Sequence, residues 1–140
     1  MPRSCGTIRA VAALGLSLAC AGAFAYTGKV VRVVDGDTVV IAADGRQSTV
    51  RLAEVAAPKQ GQAFGDRARQ ALAGLCLNAS VEVTPRQDPY GNAVAQVQCQ
   101  GRDAGEAQVR EGMAWVYREF SQNPGRLYAL EQEAQAAKRG

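Results

Sequence analysis

Any acid–base or ligand chemistry in this chain proceeds without histidine: its 140 residues hold 16 Lys plus Arg, 13 Asp plus Glu and no His. A Ser-His-Asp triad, a Cys-His pair and a His-ligated zinc are excluded. Acids, bases and metal ligands must come from Asp, Glu, Lys, Tyr or Cys. Such residues gather at a few points. Asp35-Gly36-Asp37-Thr38 sets two carboxylates around a glycine, and Arg51 lies on the next extended run. Lys59 follows Ala56-Ala57-Pro58, and Asp88-Pro89-Tyr90-Gly91-Asn92 forms a polar turn. Each has an ordinary structural reading beside the chemical one. Asp37 can pair internally with Arg51, Asp35 can close a hairpin, and Tyr90 before glycine can be plain packing.

The elements that must carry these residues can be read from periodicity. Runs at 27–34 and 37–42 are valine-rich, and the run at 48–55 is strand-like; Asp35-Gly36 and Asp44-Gly45 break between them, so 27–55 reads as a three-stranded meander. Phe64, Ala68, Ala71, Leu72 and Leu75 fall at helical spacing within 62–77. Alternation returns at 80–84 and 92–99. A short helix over 104–111 ends before Gly112, 113–120 is a last extended segment, and an amphipathic helix follows Asn123-Pro124-Gly125. The order is an α+β chain: a five-stranded OB-type barrel with three helices. Trp115 and Tyr117 read as core or barrel-lid residues, and Arg67 and Arg69 as a solvated helix face.

Residues 1–25 stand apart. Arg3 and Arg9 precede an apolar run too short to span a bilayer, and Ala23-Phe24-Ala25 has the small-x-small form of a cleavage site. A cleaved signal peptide is expected, with the domain at 26–140 and a secreted or periplasmic product. An uncleaved anchor or a lipoprotein through Cys20 are the alternatives. Without residues 1–25 the chain keeps 14 basic and 13 acidic groups, so phosphate affinity must come from local clustering. Cys76 and Cys99 remain, an even pair in an exported chain, which reads as one disulfide; two buried thiols are the alternative.

Taken in order, the DGDT run, Arg51-Leu52, Ala56-Ala57-Pro58-Lys59, Gln62-Ala63-Phe64-Gly65, Asp88-Pro89-Tyr90-Gly91-Asn92 and Glu106-Ala107-Gln108-Val109-Arg110-Glu111-Gly112 resemble the staphylococcal nuclease-like family. The resemblance implies an OB barrel and a calcium-dependent phosphodiesterase acting on DNA and RNA. A hard cation held by carboxylates would polarise the phosphate, a glutamate would activate water, and two arginines would grip phosphate oxygens.

Carried over position by position, the resemblance makes Asp37 the first metal aspartate and Arg51 the first arginine. The second metal aspartate is replaced by Ala56, the catalytic glutamate by Lys59 and the second arginine by Asn92. Tyr90 matches a phosphate-contacting tyrosine, and Phe120 stands where a base-stacking tyrosine is frequent. Glu54, two residues before Ala56, is the one carboxylate considered as a stand-in. The expectation is an eroded relative: calcium binding weak or lost, with nucleotides or single-stranded nucleic acid still held in the old cleft, and a monomer. A residual calcium-dependent nuclease and a protein-interaction module are the alternatives.

Overall fold

The computed structural model describes residues 25–86, 93–117 and 124–139. Strands β1 (Tyr26–Asp35), β2 (Thr38–Ala43) and β3 (Arg46–Leu52) form the meander. A two-residue strand β4 (Val55–Ala56) follows, then helix α1 (Gly65–Cys76) and strands β5 (Ser80–Arg86) and β6 (Val94–Cys99). Strand β7 (Arg102–Asp103), helix α2 (Ala104–Arg110), strand β8 (Trp115–Val116) and helix α3 (Pro124–Ala136) complete the order.

The strands run β3-β2-β1-β5-β6-β7, and β3 pairs back onto β6. That parallel pairing, Arg51 with Val94 and Leu52 with Ala95, closes β1, β2, β3, β5 and β6 into the five-stranded barrel the sequence implies. Closure removes the open edges that a five-stranded sheet would expose. Inward side chains include Val30, Ile41, Val50, Leu52, Val83 and Val97, and α1 adds Ala68 and Leu72 to this core. Register shifts in β1 between Val30 and Arg32, and between Val33 and Asp35, bend the strand where it enters the Asp35-Gly36-Asp37 turn.

Helix α2 is capped by Asp103, whose Oδ1 accepts from Glu106 N–H at 2.9 Å. Cys76 at the end of α1 and Cys99 at the end of β6 are joined in a disulfide across 23 residues. The chain-entropy estimate for such a loop is about 3 kcal/mol. No described helix is long and apolar enough to cross a membrane.

Three expectations are corrected. The run at 48–55 is not one strand: β3 stops at Leu52, Glu54 takes a left-handed φ of 67°, and Val55–Ala56 pairs instead with β8. Glu54 therefore does not share a strand with Ala56, which was the premise for its standing in as a carboxylate. Phe64 does not begin the buried stripe of α1; it is the residue ahead of that helix and is 48% exposed. Of the core-or-lid reading of Trp115, the core half is excluded, the side chain being 47% exposed.

Candidate nucleic-acid interface

The site grows out of the β1–β2 turn. Gly36 is needed there because a β-carbon would come within 2.5 Å of Ala68 and 2.8 Å of Ala57, closer than real contacts allow. This close approach seats the turn against α1 and the segment after β4. Gln108 of α2 locks it: the buried Nε2 donates to Gly36 O and to Ala68 O, each at 2.9 Å. In the sequence Gln108 stands out only as part of the run from Glu106 to Gly112. A lone glutamine on a short helix carries no signal that it will be buried against two carbonyls.

Asp37 is thereby held with its side chain fully buried. Its Oδ1 accepts from Thr38 Oγ1 at 2.8 Å, and its Oδ2 from Ala57 N–H at 2.9 Å. The backbone is pinned as well, with Leu52 N–H donating to Asp37 O at 2.7 Å and Asp37 N–H to Asp35 Oδ1 at 3.2 Å. The Lys59 ammonium then closes over both carboxylates. Nζ lies 2.8 Å from Asp37 Oδ1, 3.0 Å from Asp37 Oδ2 and 3.4 Å from Asp35 Oδ2. Gly65 keeps the Lys59 segment close, since a β-carbon there would collide with Lys59 O. Arg51 Nε stands 4.0 Å from Asp37 Oδ2, and its guanidinium lies 5.3 Å from the centre of the Tyr117 ring. Arg51 N–H donates to Ala93 O at 3.0 Å, so this arginine sits on the seam where the barrel closes.

Burial alone would raise the Asp37 carboxyl. The hydrogen bond shared with Asp35 and those from Lys59, Ala57 and Thr38 outweigh it and hold the group at about 2. Asp35 moves the other way: burial first, then the hydrogen bond and charge of Asp37, push it above the ordinary carboxylate value, with Lys59 pulling back. The charges are layered. The carboxylates lie beneath, while Lys59 and Arg51, 51% and 39% exposed, face solvent. An arriving anion meets an ammonium and a guanidinium, both suited to phosphate oxygens.

Does this donor set fit the calcium that the resemblance implies? Hard cations take six or more oxygens. Both oxygens of Asp37 are engaged by donors, and the ammonium of Lys59 lies against the face a cation would need. Ala56, in the β4–β8 ribbon, offers a methyl group and no side-chain oxygen. Among the described residues no cluster of three or more His, Cys, Asp or Glu side chains could hold a metal ion. The described residues do not fit a divalent ion.

The expected salt bridge of Asp37 thus has a nearer cation than Arg51, namely Lys59, and these three residues and Ala56 come together with Asp35 at one place. Tyr90, Asn92 and Phe120, the other positions singled out in the sequence, lie outside the described residues, as do residues 1–24.

Residues 49–140 match the family model described as staphylococcal nuclease homologue. The chain is 37% identical to a protein of Shigella flexneri named micrococcal nuclease, across all of this chain and 87% of that one. It is 38% identical to protein ParB of Escherichia coli, across 99% of this chain and 85% of the relative. An uncharacterized endonuclease of Haemophilus influenzae is 36% identical, over 80% of this chain and 63% of its own length.

Proposed function

The chain belongs to the staphylococcal nuclease homologue family, and on that premise we propose that its cleft binds the phosphodiester backbone of single-stranded nucleic acid without a divalent ion, hydrolysis having been eroded. The observation that carries this reading is the Lys59 ammonium on Asp37 and Asp35. Lys59 provides positive charge where the family's calcium-dependent nucleases use a metal, and it removes the carboxylate that would activate water. Arg51 supplies the bidentate grip, with Tyr90 and Phe120 as further contacts to the strand. Loss of a general base alone typically costs about 10²–10⁴ in rate. Loss of one transition-state donor, as at Asn92, costs about 10²–10³. A secreted or periplasmic location after cleavage at Ala25 is part of the proposal, and the Cys76–Cys99 disulfide suits an oxidising compartment.

The mature domain, purified with its disulfide, tests the reading with a labelled single-stranded DNA oligomer. Anisotropy is measured with calcium and with EGTA, and the same samples are run for cleavage. Equal, salt-dependent binding in both, with intact DNA, is expected. Calcium-dependent degradation abolished by EGTA would give the residual-nuclease alternative instead. Neither binding nor cleavage would leave the protein-interaction module.

A further inference from the structure

A second feature lies beside the cation pair. Phe64 and Trp115, each nearly half exposed, line one groove of about 640 Å³ between the segment ahead of α1, β8 and α3, with Pro58, Met113 and Ala134 among its walls. Large aromatic side chains held out of the core and facing one concavity are unusual in a small domain. Phe64 is held there in a left-handed conformation, φ 64°, which a bulky residue with a β-carbon adopts only when its surroundings impose it.

The groove adjoins the Lys59 segment. Its wall residue Pro58 precedes Lys59, and another, Gln62, accepts from Lys59 N–H through Oε1 at 2.7 Å. Trp115 pairs across the ribbon with Ala56, so the two side chains share a face. Its charge also suits an anionic strand. The Arg67 guanidinium lies 5.5 Å from the Phe64 ring centre, and Arg139 stands at the far end, donating to Arg110 O at 3.2 Å and 3.7 Å from Glu133. Glu131, the only carboxylate among the described lining residues, accepts from Val116 N–H at 3.4 Å.

We propose that this groove is a nucleobase subsite: an unpaired base of a strand whose phosphate lies at Lys59 and Arg51 stacks on Trp115 and Phe64. The inference rests on the phosphodiester reading above. Stacking on aromatic faces tolerates any base, and an adjacent guanidinium adds to it, so the subsite would hold single strands with little sequence preference.

Trp115 is the single tryptophan of the chain, so its emission reports on the groove. An oligothymidylate and an abasic oligomer of equal length are titrated into the mature domain, with affinity read by anisotropy. The oligothymidylate should quench Trp115 and bind about ten-fold tighter than the abasic strand. Phe64→Ala, at an exposed position, should shrink that ten-fold difference to about three-fold, with the quenching of Trp115 reduced in step. Equal affinities with unaltered emission overturn the subsite while leaving the phosphate reading in place. Quenching reduced in Phe64→Ala but retained in Arg51→Ala and Lys59→Met keeps the subsite and overturns the phosphate reading. Emission that changes with protein concentration alone, with a doubled mass by light scattering, assigns the groove to a second copy and overturns the proposal. If neither strand binds, both readings fall.

Discussion

Replacing Lys59 by methionine keeps an unbranched side chain one atom shorter and deletes its charge. Asp37 is held at about 2, against an ordinary 3.8, which corresponds to about 2 kcal/mol of folding stability at neutral pH. Lys59 is one of four groups holding it down, and it also offsets the upward push on Asp35. Its half exposure lets water screen part of the interaction. The expected loss is therefore about 1–2 kcal/mol at pH 7.5, roughly 5–8 °C in Tm for a domain of this size. The pH dependence has a definite sign. A carboxylate whose folded value is depressed stabilises the fold above its unfolded value and loses that contribution as pH falls from about 4 through about 2. The wild type therefore gives up its advantage over that window, and the deficit of Lys59→Met should shrink to about a third by pH 2.5. Asp35, displaced upward, accepts its proton earlier and relieves the unshielded pair in the variant in the same direction. Urea unfolding at the two pH values measures this. Equal stability at pH 7.5, or a deficit unchanged at pH 2.5, would refute the placement of the ammonium on this pair.

Other outcomes follow from the same geometry. Gln108→Leu removes the donor of Gly36 O and the second bond to the helical Ala68 O, and should cost about 1–3 kcal/mol by chemical denaturation, with looser binding of single strands as the turn shifts. Arg51→Ala should weaken oligomer binding about ten-fold and lower the slope of log affinity against log salt by about one. Reducing Cys76–Cys99 should lower stability by about 3 kcal/mol, and alkylation with mass spectrometry should find no free thiol before reductant. Ala56→Asp, Lys59→Glu and Asn92→Arg together should create calcium-dependent cleavage of denatured DNA; a folded but inert triple variant would reject the mapping of the site.

Much of this was legible in the chain because turn chemistry and alternation are local. Gly36 and the valines around it mark the hairpin, and the ordered motifs from Asp35 to Gly112 carry the family resemblance. What was not legible is tertiary. The break at Ala53-Glu54 arises because β4 leaves the barrel to pair with β8, some sixty residues away, and no window around Glu54 carries that information. Phe64 satisfies the helical period of α1, yet its backbone turns left-handed just before the helix and swings the ring outward. The choice of Lys59 over Arg51 as the nearer partner of Asp37 depends on Gly65 letting the Lys59 segment approach, a contact visible only once α1 is docked.

The Lys59 ammonium lies on the carboxylates of Asp37 and Asp35, and the proposed function requires that it take the place of a divalent ion there. Calorimetric titration of calcium into the native domain and into the Ala56→Asp/Lys59→Glu variant tests this most directly. The native protein should give no binding heat at millimolar calcium, and the variant should bind one ion. Stoichiometric calcium uptake by the native protein would contradict the account.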